Sequence, residues 1–320
     1  MIKLERILLN LPPVRFVTER SKHIVLPGFD RVPLYDVGAF FIQQVNKVGL
    51  TERASAVSYN FIMAIPPMCL FLFTLIPQLP FIRQRSIRWQ LRNLITEMIP
   101  APEYNASIIE FVDSFWASSR IGLISVGFVM LIFFASNGMM GLMRSFNKNY
   151  IGFQRRTGIQ TRWTAIKLTL LMMGLIFACL LLLSLQGQVL RWLGIKSDFV
   201  KTVIRILRWI FLIALIFYAY GFIYKYAPAI KKRWRIISPG SILATFLSIL
   251  STIGFSWFVS MFGKYNALYG SIGTIIVLMI VIYINSLVLL IGYELNVSIH
   301  SLKALADERV KHETGGELVK

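Results

Sequence analysis

Few side chains in this sequence are placed to do chemistry in an apolar phase. Glu294 is the one acid within, or at the immediate ends of, a series of long uncharged stretches. A carboxylate there must find a cation, take up a proton or sit on a water-filled path, because hydrocarbon offers it no partner. Paired with a basic neighbour such as Arg53 or Arg144 it makes an ion pair; unpaired it makes a proton relay. The pairing is the reading we favour. Asn137 and Asn285 are amides in the same kind of stretch and need partners for the same reason. Ser241, Thr245, Ser248, Thr252 and Ser256 recur at steps of four, three, four and four, which puts them on one helix face. Such a stripe closes a packing seam or lines a path, and the seam is the more common use. Ser58 and Tyr59, with Ser55, share a face just before Pro66 and Pro67. The two prolines remove backbone donors and restrict the residue ahead of them, so a kink or break is expected there. It either shapes packing or opens a cavity at mid-membrane.

Other chemistry finds little support. The chain has three histidines, His23, His300 and His312, and 15 scattered acids, with no His-x-His-x-Asp constellation able to hold a metal and activate water. Cys69 and Cys179 lie in apolar runs and read as packing residues. No catalytic residue, metal or cofactor is expected. Nor is nucleic acid, since no aromatic-rich basic module of the RNA-binding kind occurs.

The elements that hold these residues are membrane spans. Of the 320 residues 56% are hydrophobic and 15% charged. A helix needs about 20 apolar residues to cross a ~30 Å hydrocarbon core. Six intervals qualify, at about 55–80, 121–143, 167–189, 207–228, 238–262 and 271–295. We expect an all-α polytopic membrane protein of six transmembrane helices, as one domain over 36–300. A segment at 1–35 precedes it and a tail at 301–320 follows, both cytoplasmic. No cleavable signal peptide is visible at the start. The orientation comes from counting Lys and Arg: with the amino terminus inside, inner segments hold 23 against 11 outside.

The outer loops are nonetheless basic, and the formal net charge is +19. Ile87, Leu91, Leu94, Ile95 and Met98 recur at helical spacing among Arg83, Arg85, Arg88 and Arg92, and Ile108, Ile109, Val112, Phe115 and Trp116 form a second stripe. This predicts an amphipathic hairpin on the outer interface. A third such segment, around Lys201, Arg205 and Arg208, is expected to run into the fourth span. Val37, Phe40, Phe41, Val45 and Val48 suggest an interfacial helix before the first. Tyr265, Asn266, Tyr269, Gly270, Ser271 and Gly273 crowd the outer turn between spans five and six, where the glycines would allow a tight re-entry. Gly138 and Gly141 favour close contact within or between chains, which leaves a homo-oligomer open.

The strings YKYAPAIKKRWRIISPG at 224–240, FGKYNALYGSIGTII at 262–276 and IGYELN at 291–296, in that order, resemble the YihY/BrkB family, historically labelled ribonuclease BN-like. RASAVSYNFIMAIPPMCLF at 53–71 and SNGMMGLMRSFNKNY at 136–150 are similar to that family's first-span motif and second-span exit. Ile-Pro-Pro stands where many relatives have a single proline. The likeness covers roughly residues 35–300, and its most specific part is the Tyr-Gly turn with Glu294-x-Asn296. It implies a bacterial inner-membrane protein of six helices, concerned with envelope lipid or precursor traffic. The functional expectation is a transporter or flippase-like protein for an anionic envelope lipid or precursor. A membrane scaffold that moves nothing is the alternative. Anionic membrane lipids are the expected partners.

Overall fold

The computed structural model describes residues 19–30, 32–47, 49–66, 121–146, 156–192, 198–230, 233–261 and 266–317, with five single positions between 92 and 110. The elements described are α1 (Leu34–Lys47), α2 (Leu50–Ile62), α3 (Ile121–Phe146), α4 (Gly158–Trp192), α5 (Asp198–Tyr226), α6 (Pro239–Met261) and α7 (Asn266–Glu317). The outer hairpin expected between residues 83 and 116 lies outside the described residues apart from those single positions, as do Pro67 and Cys69.

Helices α3 to α7 each contain a stretch long and apolar enough to cross a membrane. The first expected span is described as far as Pro66. It enters as α2 and breaks where the prolines demand it. Met63 N–H still reaches the Tyr59 carbonyl at 3.0 Å, Ala64 N–H tightens onto Phe61 at 3.0 Å, and α2 is over before Ile65-Pro66. That tightening is how a helix ends ahead of a residue that cannot continue its ladder. At its start Gly49 takes φ +60°, the left-handed conformation a chain reversal out of α1 requires.

Each helix from α2 to α7 packs on its neighbour in sequence, and α7 returns to pack on α2, so the six form a closed ring with α1 outside against α7. The buried core takes Ala54 and Val57 from the start of α2, Leu142 and Phe146 from the end of α3, Ala165 and Leu168 from the start of α4. It adds Tyr224 from the end of α5, Ala244 from the start of α6, and Leu290, Tyr293 and Val297 from α7. The helices therefore alternate in direction, and the described core sits at one end of the ring, called the core end below. The opposite faces are apolar too: Ile242, Phe246, Leu250, Ile253 and Trp257 of α6 are all more than half exposed. They follow a helical period on the side away from the serines, as a lipid-facing stripe must.

Three boundaries differ from or sharpen the sequence reading. The basic segment around Lys201 does continue into the fourth span as the single helix α5. Helix α7 begins at Asn266, so Tyr269, Gly270 and Gly273 are helical positions and not part of a turn. At 52 residues α7 is about 78 Å long for a rise of ~1.5 Å per residue, so it crosses residue 300 unbroken and projects well past a ~30 Å apolar layer.

Helix α5 stops at Tyr226 because Pro228 has no N–H to extend it. Its last carbonyl and the two that follow are collected by Arg156, which donates to Tyr226 O at 3.3 Å, Ala227 O at 2.9 Å and Pro228 O at 3.0 Å. Burial, with the nearby Arg233 charge adding to it, lowers the Arg156 guanidinium below its ordinary value. Lysine has no fork with which to span three carbonyls. Arg156→Lys is expected to lose about 1–2 kcal/mol of stability, read as a lower unfolding midpoint together with faster amide exchange in the last turn of α5.

Candidate functional site: a buried polar lock at the core end

Glu294 is completely buried on α7, and Arg53, 9% exposed, reaches it from the first turn of α2. Arg53 Nη1 donates to Glu294 Oε1 at 2.5 Å, and Nη2 donates to the Ser145 carbonyl in the last turn of α3. One guanidinium thus ties three helices. An arginine suits this place because its planar fork offers donors on two separated nitrogens in fixed directions. Arg144, the other candidate for this role, is exposed. Tyr293, next to Glu294, stacks on Phe146 with centroids 3.9 Å apart and donates its hydroxyl to the Phe146 carbonyl at 2.6 Å. The end of α3 is therefore held to α2 through the Ser145 carbonyl and to α7 through the Phe146 carbonyl, both of which the helix itself leaves unused.

The entrance of α6 is built from Ser238-Pro239-Gly240-Ser241. Ser238 and Ser241 cap each other reciprocally, with Ser241 N–H donating to Ser238 Oγ at 3.2 Å and Ser238 N–H to Ser241 Oγ at 3.0 Å. Pro239 takes the first helical position, where its missing donor costs nothing. Asn296 completes the end from α7, accepting from Gly240 N–H at 2.9 Å and donating to Ser238 Oγ at 3.0 Å. A side chain of one helix thus supplies part of the cap of another. Asn296→Ala is expected to cost about 1–3 kcal/mol, because it leaves a buried N–H and hydroxyl short of a partner. A thermal midpoint within error of wild type would show that the cap within α6 suffices.

The remaining sequence candidates are distributed, not gathered. Asn137 accepts from Arg162 Nη1, and Arg162, on α4, also donates to Phe133 O at 3.1 Å and lies 4.1 Å over the Phe133 ring. Ser248 donates to Asn285 Oδ1 at 3.1 Å, while Asn285 returns its amide to Val281 O at 2.9 Å. Thr245 and Thr252 bond back to the carbonyls of Ser241 and Ser248. Ser58 does the same to Ser55. Tyr59 is 58% exposed, and Pro66 is exposed. Gly138 and Gly141 face Phe61 and Asn60 of α2, which makes their close contact one within the chain. The structure thus joins Glu294 to Arg53, Ser248 to Asn285 and Asn296 to the head of α6. Among the described residues, Asn137 bonds to α4, Asn285 to α6 and Glu294 to α2, each through a partner of its own.

Sequence reasoning missed Arg162, Tyr224, Tyr293, Ser238 and the glycine pair Gly240 and Gly292. Tyr224 donates to Leu289 O at 2.8 Å. The signal for the last four was the Ser-Pro-Gly-Ser cap opposite a Gly-Tyr-Glu-x-Asn run.

A family model described as "Virulence factor BrkB" matches residues 41–315, the whole region from the middle of α1 to near the end of α7. The chain belongs to the BrkB family. It is 32% identical over 268 residues to the putative ribonuclease-like protein YfkH of Bacillus subtilis, covering 82% of this chain and 94% of that one. A UPF0761 membrane protein of Haemophilus influenzae is 22% identical over 267 residues, 82% of this chain and 95% of its own. One of Tolumonas auensis is 26% identical over 265 residues, 80% and 82%. No solved structure matches the chain. Membership in BrkB bears out the resemblance read from the motifs, and with five span-length apolar helices it makes this a multi-pass membrane protein.

Proposed function

We propose that this BrkB protein moves an anionic amphiphile, an envelope lipid or lipid-linked precursor, across the bacterial inner membrane. In this reading the core end of the ring faces the cytoplasm, as the basic-loop count expects, and the Arg53–Glu294 pair is the closure on that side. One observation carries it. The pair joins α7 to the segment of the first span that lies just ahead of the proline break, so the one acid within the six expected spans is used to hold together two elements that could part. A buried ion pair is costly to desolvate and is best attested as a registry or switching device. The serine and threonine stripe of α6 adds support. Ser241, Thr245 and Ser248 are buried at the core end, whereas Thr252 and Ser256, further along, are exposed. A ring shut at one end and polar toward the other suits an amphiphile whose headgroup must cross.

The test is movement of a headgroup-labelled phosphatidylglycerol in vesicles holding the purified full chain. We expect a larger fraction of label to become accessible to an external reductant than in empty vesicles, and the rate to change in Glu294→Gln. Equal accessibility in protein-containing and empty vesicles would overturn the reading.

The scaffold reading is favoured by a different observation: Asn137, Asn285 and Asn296 are all engaged in contacts between helices. It predicts no lipid movement and a rigid core end. The ribonuclease-like wording belongs to the Bacillus relative's name. Among the described residues no three of His, Cys, Asp and Glu come together in a way that could hold a metal, and we expect the purified chain to leave RNA intact.

A further inference from the structure

Residues 24–30 and 32–34 lie together at the core end, joined at their base. Leu34 N–H donates to Ile24 O at 2.9 Å and Phe29 N–H to Leu26 O at 3.1 Å, so the loop is fastened at its base and again near its tip. Gly28 turns at φ +90° against Pro239, where a methyl group would lie 3.1 Å from the proline ring. Phe29 is buried with Val37 and Ile299. Asp30 faces Lys303 at 3.4 Å and His300 at 3.7 Å, which fixes the loop to α7. The inner side of the loop is thus fully used.

Its outer side is not. Ile24, Val25 and Leu26 stay 39%, 49% and 39% exposed, and Ile237, two residues before α6, is 66% exposed. Three consecutive apolar side chains held out by an otherwise fastened loop mark a surface with a partner. The position of the loop says which one. It rests on Pro239, the first residue of a membrane-crossing stretch. Ile242, about one turn further along α6, already belongs to the lipid-facing stripe. The exposed loop residues are therefore continuous with a face that meets lipid. Lys22, two residues before Ile24, and Arg233 and Arg235, shortly before Ile237, are exposed.

We propose that the Ile24–Pro27 loop, with Ile237, dips into the headgroup region of the leaflet at the core end, and that Lys22, Arg233 and Arg235 bind the phosphates of anionic lipids there. Apolar tips flanked by basic residues bind a membrane surface by adding buried area to electrostatic attraction. The anchor would hold the segment before α1 against the bilayer whether or not the protein transports anything.

The experiment uses the full chain in vesicles of phosphatidylglycerol and phosphatidylethanolamine. Cys69→Ala and Cys179→Ala remove the native thiols, and Val25→Cys carries an environment-sensitive fluorophore. Ala306→Cys, exposed on α7, serves as the aqueous control, and Ile237→Cys tests the second side of the patch. We expect blue-shifted emission at positions 25 and 237 and quenching by lipids spin-labelled near the headgroup, both weaker in phosphatidylcholine vesicles and absent at 306. Emission at 25 and 237 matching the control would overturn the proposal. So would a blue shift insensitive to the lipid quencher, because it would assign the patch to a protein contact.

Discussion

Glu294→Ala is expected to destabilise the folded protein by about 3–5 kcal/mol, the cost of leaving one member of a buried ion pair without the other. The size follows from burial: Glu294 has no exposed surface and Arg53 has 9%, so neither charge recovers water when its partner goes. Arg53→Ala should cost a similar amount and in addition free the Ser145 carbonyl. Arg53→Lys keeps the charge but replaces two separated donor nitrogens by one, so it should fall between. The decisive variant is the double one. Arg53→Met with Glu294→Leu removes both charges and keeps most of the volume, and it should recover much of what either single change loses, since apolar replacement of a buried pair is often neutral or better. Unfolding midpoints in detergent, arranged as a double-mutant cycle, read this directly. Single losses under about 1 kcal/mol would put the pair in the class of solvent-screened surface bridges and remove it as a lock. Raised salt should leave the coupling nearly unchanged, because buried pairs are screened little.

That Glu294 is paired, and with Arg53 among the candidates, was legible in the sequence. An acid in an apolar stretch must be neutralised, and few cations lie near enough to the membrane edge to do it. The break before Pro66 was legible for an equally local reason: proline constrains its own backbone and that of its predecessor wherever it sits. The same holds for the run of the basic segment into α5. What could not be read was which polar groups meet across helices. Asn137 plainly needed a partner, but Arg162 becomes that partner only when α3 and α4 pack side by side. Asn296 was singled out, yet its work as a cap for α6 depends on α7 crossing Ser238 at the right height. Tyr269 and Gly270 went the other way. Glycine and tyrosine at a membrane edge suit a turn, but a turn and the opening of a helix share that composition, and here the helix begins at Asn266.

The glycine pair sets the height at which α7 crosses the head of α6. A methyl at Gly240 would overlap the Gly292 carbonyl and lie 2.6 Å from Asn296 Cγ, and one at Gly292 would overlap the Tyr224 hydroxyl and lie 2.6 Å from Gly240 O. Two of the obstacles are backbone, which cannot rotate away. Either substitution to alanine is therefore expected to cost about 3 kcal/mol, the upper end for overpacking, or to prevent assembly of the core end. The loss has a specific route: pushing α6 from α7 breaks the Asn296 contacts with Gly240 and Ser238 and stretches the Tyr224 bond to Leu289. Gly174→Ala and Gly254→Ala are the controls, because nothing stands within 4 Å of a methyl at either position. Each should instead gain up to about 1 kcal/mol from helix propensity. Unfolding midpoints of the four variants separate the cases. If Gly240→Ala behaved like Gly254→Ala, the close crossing would be wrong, and with it the placement of Asn296. If the pair behaves as expected, combining Gly240→Ala with Asn296→Ala should cost less than the two changes added, since the first already breaks the contact the second removes.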